Sequence, residues 1–228
     1  KVFAQVESTN DLAVQRLSEK PSAEVFAITA DEQVKGRGRL QREWQSPFGA
    51  GIALSVAVPI KLFSCEVSAI PLLVGIAANY VLKNLGANAK LKWPNDLLVN
   101  NKKISGILAQ GAPQFVVVGI GVNVGWAPEG ATSLVHEAPA CAAKPTDVLR
   151  AMLPHIASFE SLTPQQLHQL YQDELSTIGQ RVRVEQHGGA VLEGVAVAVH
   201  TDGRLLVRED NGAEHHVDTG YVVHLRSA

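Results

Sequence analysis

Cysteine is nearly absent: the 228 residues contain two, Cys65 and Cys141. So sparse a pair excludes a disulfide framework and fits buried thiols in a reducing compartment, which predicts a cytoplasmic protein. A membrane-spanning run is also missing, because the most apolar helical stretch, "AIPLLVGIAANYVL", is too short and carries Asn79. No charged-then-apolar leader opens the chain, and its first residue is Lys1, so a segment ahead of it is left open. Neither sign of charge dominates. With 20 basic against 22 acidic residues and a net charge of -2, a general nucleic-acid or membrane-surface binder is not expected. The eight histidines, including the His215-His216 pair, lack metal-ligand spacing, and no Ser/His/Asp or Cys/His order stands out, so no residue is assigned to a metal. No repeat or low-complexity segment occurs.

What remains is an ordinary core-forming composition, 46% apolar and 18% charged, long enough for one large domain or a domain with an appendage. "KVFAQV" predicts a short strand, and "STNDLAVQRLSEK" a helix capped by Ser8 or Thr9 that buries Leu12, Ala13 and Leu17. "VFAITA" predicts a second strand. "GIALSVAV" alternates large and small side chains as a half-buried strand does. A buried helix is expected from about Val67 to Leu85, started or bent at Pro71 and closed by Gly86. "LKWPNDLLVNNKKISGILAQG" reads as three strands with turns at Pro94–Asp96 and Asn100-Asn101, and "FVVVGIGVNVG" as a central strand. Two helices follow between Thr146 and Thr177, with Pro145 and Pro164 near their starts. From Gly179 the texture changes to a meander of about five short strands, a small barrel. The expectation is an α+β domain over residues 1–178 and a β barrel over 179–228.

Positive charge is local. "QVKGRGRLQREW", Gln33 to Trp44, holds four cations and two glycines before its first carboxylate. Gly36 and Gly38 free backbone N–H groups and permit left-handed dihedrals, so the chain can wrap an anion. Arg37, Arg39 and Arg42 supply planar forks for phosphate or carboxylate, and Trp44 a flat face for a purine. The run is neither a Walker loop nor a dinucleotide fingerprint, since Gln41 stands where a third glycine is needed. Taken alone it reads equally as a solvated hairpin loop. "KWPND" puts Asn95 and Asp96 at a tight turn, and "KKISGIL" puts Lys103 at the start of the next strand. Strict alternation aims Lys103 at the concave side and turns Ile104, Gly106 and Leu108 to the other face. "GIGVN", Gly119 to Asn123, lets a ligand approach the backbone or is a strand-end bulge. "STN", Ser8 to Asn10, is a polar cluster at a helix start or a plain N-cap.

In this order, "STN", "GRGR" with its closing tryptophan, "KWPND", "KxxGIL", "GxGxN" and a terminal small barrel resemble a biotin protein ligase over nearly the whole chain. The resemblance implies a class-II-synthetase-like mixed sheet with helices, an SH3-like C-terminal domain, and ATP-dependent attachment of biotin to a lysine of a biotin carboxyl carrier protein of acetyl-CoA carboxylase. Biotin and ATP are then the small-molecule partners, with Mg²⁺ accompanying the phosphates. It implies that Ser8, Thr9, Asn10 and Gln33 bind the biotin head, that Gly36, Arg37, Gly38 and Arg39 close over biotin and the adenylate, and that Gly106 lines biotin. Arg42, Trp44, Asn95, Asn123 and Arg226 fall to the nucleotide, with Arg37 and Arg39 serving both. Lys103 falls beside the carboxylate and the α-phosphate, with Lys103 and Arg37 as catalytic groups, and Asp96 is the candidate to orient or deprotonate the acceptor lysine. Gln41 departs from the glycine many members carry, which implies a stiffer loop. The resemblance includes no winged helix, so DNA binding is not expected, and a homodimer is left open. Two rivals remain, a lipoate ligase of the same fold and a nucleic-acid-binding module built on the Gly/Arg loop.

Overall fold

A computed structural model describes residues 1–20, 24–62, 67, 70–158, 162–186, 189–218 and 220–225, apart from the Gln41 side chain. Arg226 and Cys65 lie outside the described residues. In chain order the elements are β1 (Val2–Val6), α1 (Thr9–Glu19), β2 (Phe26–Gln33), β3 (Gly51–Pro59), α2 (Ile70–Asn84), β4 (Lys90–Lys92), β5 (Asp96–Val99), β6 (Lys102–Ala112) and β7 (Phe115–Asn123). There follow α3 (Leu134–Glu137), α4 (Pro145–Ser158), α5 (Pro164–Glu174), β8 (Arg181–Glu185), β9 (Val191–Val199), β10 (Leu205–Arg208), β11 (Glu214–Val217) and β12 (Tyr221–His224). Strands β1 to β7 form one mixed sheet in the order β1-β2-β3-β7-β6-β5-β4, with β1 and β2 parallel and the other pairs antiparallel. Strands β8 to β12 form a second, antiparallel sheet in the order β11-β10-β9-β8-β12. Among the described residues no helix is long and apolar enough to cross a membrane.

The expected elements are present, and α3, a single turn capped by Ser133, is additional. Gly86 does end α2, at a φ of 95° that suits its missing Cβ. Helix α2 is apolar nearly all round because it is enclosed by the sheet, α4 and α5. Its one buried amide, Asn79, donates through Nδ2 to Glu174 of α5 at 3.0 Å.

Two pattern readings are corrected. Strand β3 is buried on both faces rather than one. Its large residues Ile52, Leu54, Val56 and Val58 face the main core, while Ala57 packs against Ala13 and Leu17 of α1. The small residues of "GIALSVAV" are small because a helix lies on them. In β6, a register shift beside Leu97 and Leu98 leaves Ile104 opposite no residue of β5. Such a bulge reverses the alternation. Lys103 and Gly106, expected on opposite faces, therefore share one: a Cβ at Gly106 would stand 2.9 Å from Lys103 Cε.

The apolar core runs without a break from the large sheet through α4 and α5 into Val182, Val184, Leu205 and Val222 of the small sheet. Trp93 is the peg of this junction. It is 1% exposed, its backbone N–H donates to Thr177 Oγ1 at 3.0 Å, and its Nε1 donates to Gly203 O at 2.9 Å. Truncating so large a buried side chain costs about 3–5 kcal/mol.

Candidate active site

Ser8 caps α1, its Oγ accepting from the Asp11 N–H. A helix starting there turns Thr9 and Asn10, 3% and 5% exposed, down onto the sheet. The Thr9 N–H and hydroxyl both donate to Gln33 Oε1, at 2.8 and 2.9 Å. Asn10 Nδ2 donates to Leu108 O at 3.1 Å. Ser55 of β3, wholly buried, sets its hydroxyl 2.8 Å from Thr9 Oγ1 and 2.6 Å from Asn10 Oδ1. Ser8, Thr9, Asn10, Gln33 and Leu108 line a pocket of about 40 Å³, space on the order of a water molecule, with Ser55 behind Thr9 and Asn10. The room expected for a ligand at "GIGVN" is taken by the protein's own groups. A Cβ at Gly119 would fall 2.3 Å from Asn10 Oδ1, and one at Gly121 2.2 Å from the Trp44 indole.

Trp44 is the wall between this pocket and a larger cleft, and lines both. The basic loop brings it there by folding on itself: Trp44 N–H donates to Gly36 O at 2.9 Å, and Gly38 N–H to Arg42 O at 2.7 Å. Glycine is required at 36 for closeness, since a Cβ would meet the Trp44 carbonyl oxygen at 2.3 Å. The left-handed backbone expected of Gly36 and Gly38 occurs instead at Leu40, with φ 55°. Every cation of the loop reaches a partner outside it. Lys35 pairs with Glu7, Arg37 with Asp11, Arg39 Nη1 donates to Asn95 Oδ1, and Arg42 lies 4.3 Å from the centre of the Tyr221 ring. The anchors are polar and half-exposed, so the loop is held weakly.

The cleft beyond Trp44 has a volume of about 380 Å³. Arg39, Arg42, Lys92 and Lys103 line it, with Glu43 and Asp96 the only carboxylates that do so among the described residues. Burial lowers the Arg39 pKa from its ordinary value, and nearby Asp96 works against that shift. Lys103 Nζ stands 2.6 Å from Asp96 Oδ1 and 5.6 Å from the Trp44 ring centre. Asn95 Nδ2 donates to Ile107 O at 2.8 Å, and Asn123 Nδ2 to Thr132 O at 3.0 Å, fixing both amides at the cleft edge. Tyr221 and Val222 of the small sheet close the far side. Among the described residues no cluster of three or more His, Cys, Asp or Glu can hold a metal ion.

The fold thus gathers Ser8, Thr9, Asn10, Gln33, Arg37, Gly38, Gly106 and Lys103 at the small pocket. Gly38, Arg39, Arg42, Trp44, Asn95, Asp96, Lys103 and Asn123 line the cleft. Arg37 lines the pocket and not the cleft, and Gly36 lines neither. Three contributors escape sequence reasoning. Ser55 reads as one more small residue of β3, although a lone hydroxyl in an apolar strand is a signal. Trp93 sits inside a motif noticed for its neighbours. Tyr221 carries no local signal, since only the packing of the small sheet brings it to Arg42.

A small pocket of hydroxyls and amides, with Arg37 and Lys103 at its wall, beside a cationic cleft is the plan of a site for a polar acid and a polyphosphate. Residues 2–125 match the model of the Biotin/lipoate A/B protein ligase family, and residues 177–225 match that of the biotin protein ligase C-terminal domain. The chain belongs to this ligase family. It is 36% identical to the biotin–[acetyl-CoA-carboxylase] ligase of Mycobacterium tuberculosis over 99% of this chain and 88% of that protein. Among solved structures it resembles the biotin protein ligase of Aquifex aeolicus in complex with biotin and ATP, at 28% identity and a TM-score of 0.81, covering 100% of this chain and 98% of that one. It also resembles the Leishmania major enzyme in complex with biotinyl-5-AMP, at 26% identity and a TM-score of 0.71, covering 96% of this chain and 98% of that one.

Proposed function

We propose that this chain is a biotin–[acetyl-CoA-carboxylase] ligase, which converts biotin and ATP to biotinoyl-5'-AMP and passes the biotinoyl group to a lysine of a biotin carboxyl carrier protein. The observation that carries this reading is the adjacency, across Trp44 and Lys103, of the hydroxyl–amide pocket and the cationic cleft. Biotin offers a cyclic urea at one end and a carboxylate at the other, and the hydrogen-bonding groups of the one and the cations of the other suit those ends in chemistry. We assign residues 1–178 to catalysis and residues 179–228 to a barrel that completes the cleft.

In the first step a biotin carboxylate oxygen attacks the α-phosphorus, and pyrophosphate leaves. A carboxylate with a pKa of about 4–5 is already ionised at neutral pH, so no base is required. The obstacle is an anion meeting a polyanion. Lys103 stands where both would converge, and Arg39 and Arg42 face the same cleft. Preorganised donors of this kind are each worth about 3–4 kcal/mol of transition-state stabilisation. Mg²⁺ suits the site as a companion of the phosphates, because it binds through one or two carboxylates plus phosphate and water, and Asp96 and Glu43 are the carboxylates at hand. Bound there, it would neutralise charge on the leaving pyrophosphate.

The second step needs a neutral amine, yet a lysine of pKa about 10.4 is less than ~0.1% neutral at pH 7. Asp96 is the group we assign to orient that ammonium and take its proton, so that the amine attacks the acyl carbon and AMP leaves. It is engaged by Lys103 at 2.6 Å, so Lys103 must first turn to the acyl phosphate. Closure of the basic loop keeps the mixed anhydride from water between the steps. Pyrophosphate release measured with biotin, lipoate or neither, followed by mass analysis of an added carrier, tests the proposal. Release with biotin and a carrier heavier by one biotinoyl group are expected; release with lipoate alone would overturn it.

A further inference from the structure

We infer that Tyr221 is a positioning residue of the small sheet, whose ring holds Arg42 and Lys92 at the cleft, without a counter-charge, for the two phosphates that leave as pyrophosphate. The inference rests on the proposed reading of the cleft as the place of ATP, and adds the part that the small sheet plays there.

Three elements far apart in the chain converge on this ring. Tyr221 opens β12, an edge strand of the small sheet, and lines the cleft. Arg42 comes from the basic loop, and its guanidinium carbon lies 4.3 Å from the ring centre. Lys92 comes from β4, and its Nζ lies 5.8 Å from the same centre. Both distances fall within the roughly 6 Å over which an aromatic face attracts a cation. The root of Arg42 is fixed as well, since its carbonyl accepts the Gly38 N–H at 2.7 Å and its own N–H donates to Arg39 O at 3.2 Å.

Three other cations around the site are paired with carboxylates: Lys35 with Glu7, Arg37 with Asp11 and Lys103 with Asp96. Among the described residues Arg42 and Lys92 form no such ion pair, and the ring is what they share. A carboxylate in place of Tyr221 would hold the same two side chains, but would cancel much of their charge and compete with phosphate for them. An aromatic face fixes a cation through its quadrupole and leaves the charge whole. Two like charges kept uncompensated in one cleft repel each other, and a polyanion removes that repulsion. Arg42 and Lys92 line the cleft and not the small pocket, whereas Lys103 lines both. With Lys103 at the α-phosphate, the pair beside Tyr221 falls to the β- and γ-phosphates. Tyr221 thus touches no reacting atom. It acts through the two cations, whose side chains the phosphates would otherwise have to order on binding.

The test compares Tyr221→Phe, Tyr221→Leu and Tyr221→Glu by steady-state pyrophosphate release and by transfer of the biotinoyl group from preformed biotinoyl-5'-AMP to the carrier, with thermal unfolding alongside. Tyr221→Phe, the conservative rescue that keeps the face, should hold the parent KM for ATP. Tyr221→Leu should raise it about 3- to 10-fold, since an exposed cation–π contact is worth about 2- to 5-fold for each cation. Tyr221→Glu, which supplies a counter-charge, should raise it further. The KM for biotin should stay near that of the parent. So should the transfer step, because the adenylate carries no β- or γ-phosphate. Tyr221 is 37% exposed on an edge strand, so Tm should hardly move. Equal ATP KM values for the Phe and Leu variants, a Glu variant no worse than the Leu variant, or a transfer step that slows with the first step would overturn the role. Should Tyr221→Leu fail to fold, Tyr221→Glu against Tyr221→Phe decides. A parent protein that releases no pyrophosphate with biotin would sink the reading of the cleft itself, and this inference with it.

Discussion

The pocket and the cleft meet at Trp44 and are built by opposite means. The pocket is small and mostly lined by uncharged groups, and its hydroxyls and amides hang on α1 and β2, which share one core with β3. The cleft is larger and richer in charge, and much of its wall comes from a loop, a turn and the small sheet. On the proposed reading, recognition of a ring falls to elements anchored in the core, where a misplaced hydrogen bond is expensive. Charge neutralisation then falls to the loop side, where ATP and pyrophosphate must enter and leave.

Lys103 belongs to both halves, so its loss should have the largest effect. Lys103→Ala should lower kcat/KM for adenylation about 10²- to 10³-fold, the size of a lost transition-state donor. Its side chain is 37% exposed, so Tm should hardly move. Near-normal pyrophosphate release by the variant would remove Lys103 from the site.

The two glycines of "GIGVN" separate the halves more finely. Gly119→Ala drives a methyl group into Asn10, and Gly121→Ala drives one into the Trp44 indole. Overpacking of this kind costs about 1–3 kcal/mol. Isothermal titration should find biotin binding weakened about 5- to 150-fold by Gly119→Ala, with ATP affinity kept. Gly121→Ala displaces the shared wall and should weaken both ligands. If Gly119→Ala impaired ATP as severely as biotin, pocket and cleft would be one site.

The basic loop tests the mobile half. Three arginines and a lysine repel one another, and the ion pairs of Lys35 and Arg37 with Glu7 and Asp11 are exposed. Trypsin should cut after Lys35, Arg37, Arg39 or Arg42 at least several-fold faster in the free protein than with biotin and ATP, whose anions neutralise the repulsion. Equal protection in both states would mean a preformed loop.

How much of this was legible in sequence follows from how local each cause is. The N-cap at Ser8, the hairpin turns and the basic loop are written in neighbouring residues, so their chemistry could be named from the chain alone. Gly106 falls on the face of Lys103 rather than opposite it because a bulge in β6 is set by pairing with β5 and leaves no mark in "KKISGIL". The glycines of "GIGVN" read as an opening for a ligand or as a strand-end bulge, since nothing local tells that Asn10, 109 residues earlier than Gly119, comes to fill the space. Ser55 and Tyr221 act only through partners far away in the chain, as Ser55 does with Thr9.

The smallest effect concerns the junction that lets the small sheet close the cleft. His224 Nε2 lies 3.2 Å from Thr177 Oγ1, which already accepts the Trp93 N–H. A neutral imidazole can accept the Thr177 hydrogen, whereas an imidazolium would leave that hydrogen without an acceptor. Burial first, then the nearby Lys92 ammonium, lower the His224 pKa from its ordinary value of 6.5. The same holds for His168 of α5, through burial and then His200 of the small sheet. Between the lowered folded values and 6.5 the unfolded chain binds more protons than the folded one, so stability must rise with pH there. The contribution is fully present above 6.5 and is lost as pH falls below it. Unfolding of the parent and of His224→Gln at pH 7.5 and 5.5 reads this directly: the parent should lose more Tm on acidification, and the variant, which has no proton to gain at this position, should lose less. Parallel curves would place the titrating groups elsewhere and leave the junction held by Trp93 and apolar packing alone.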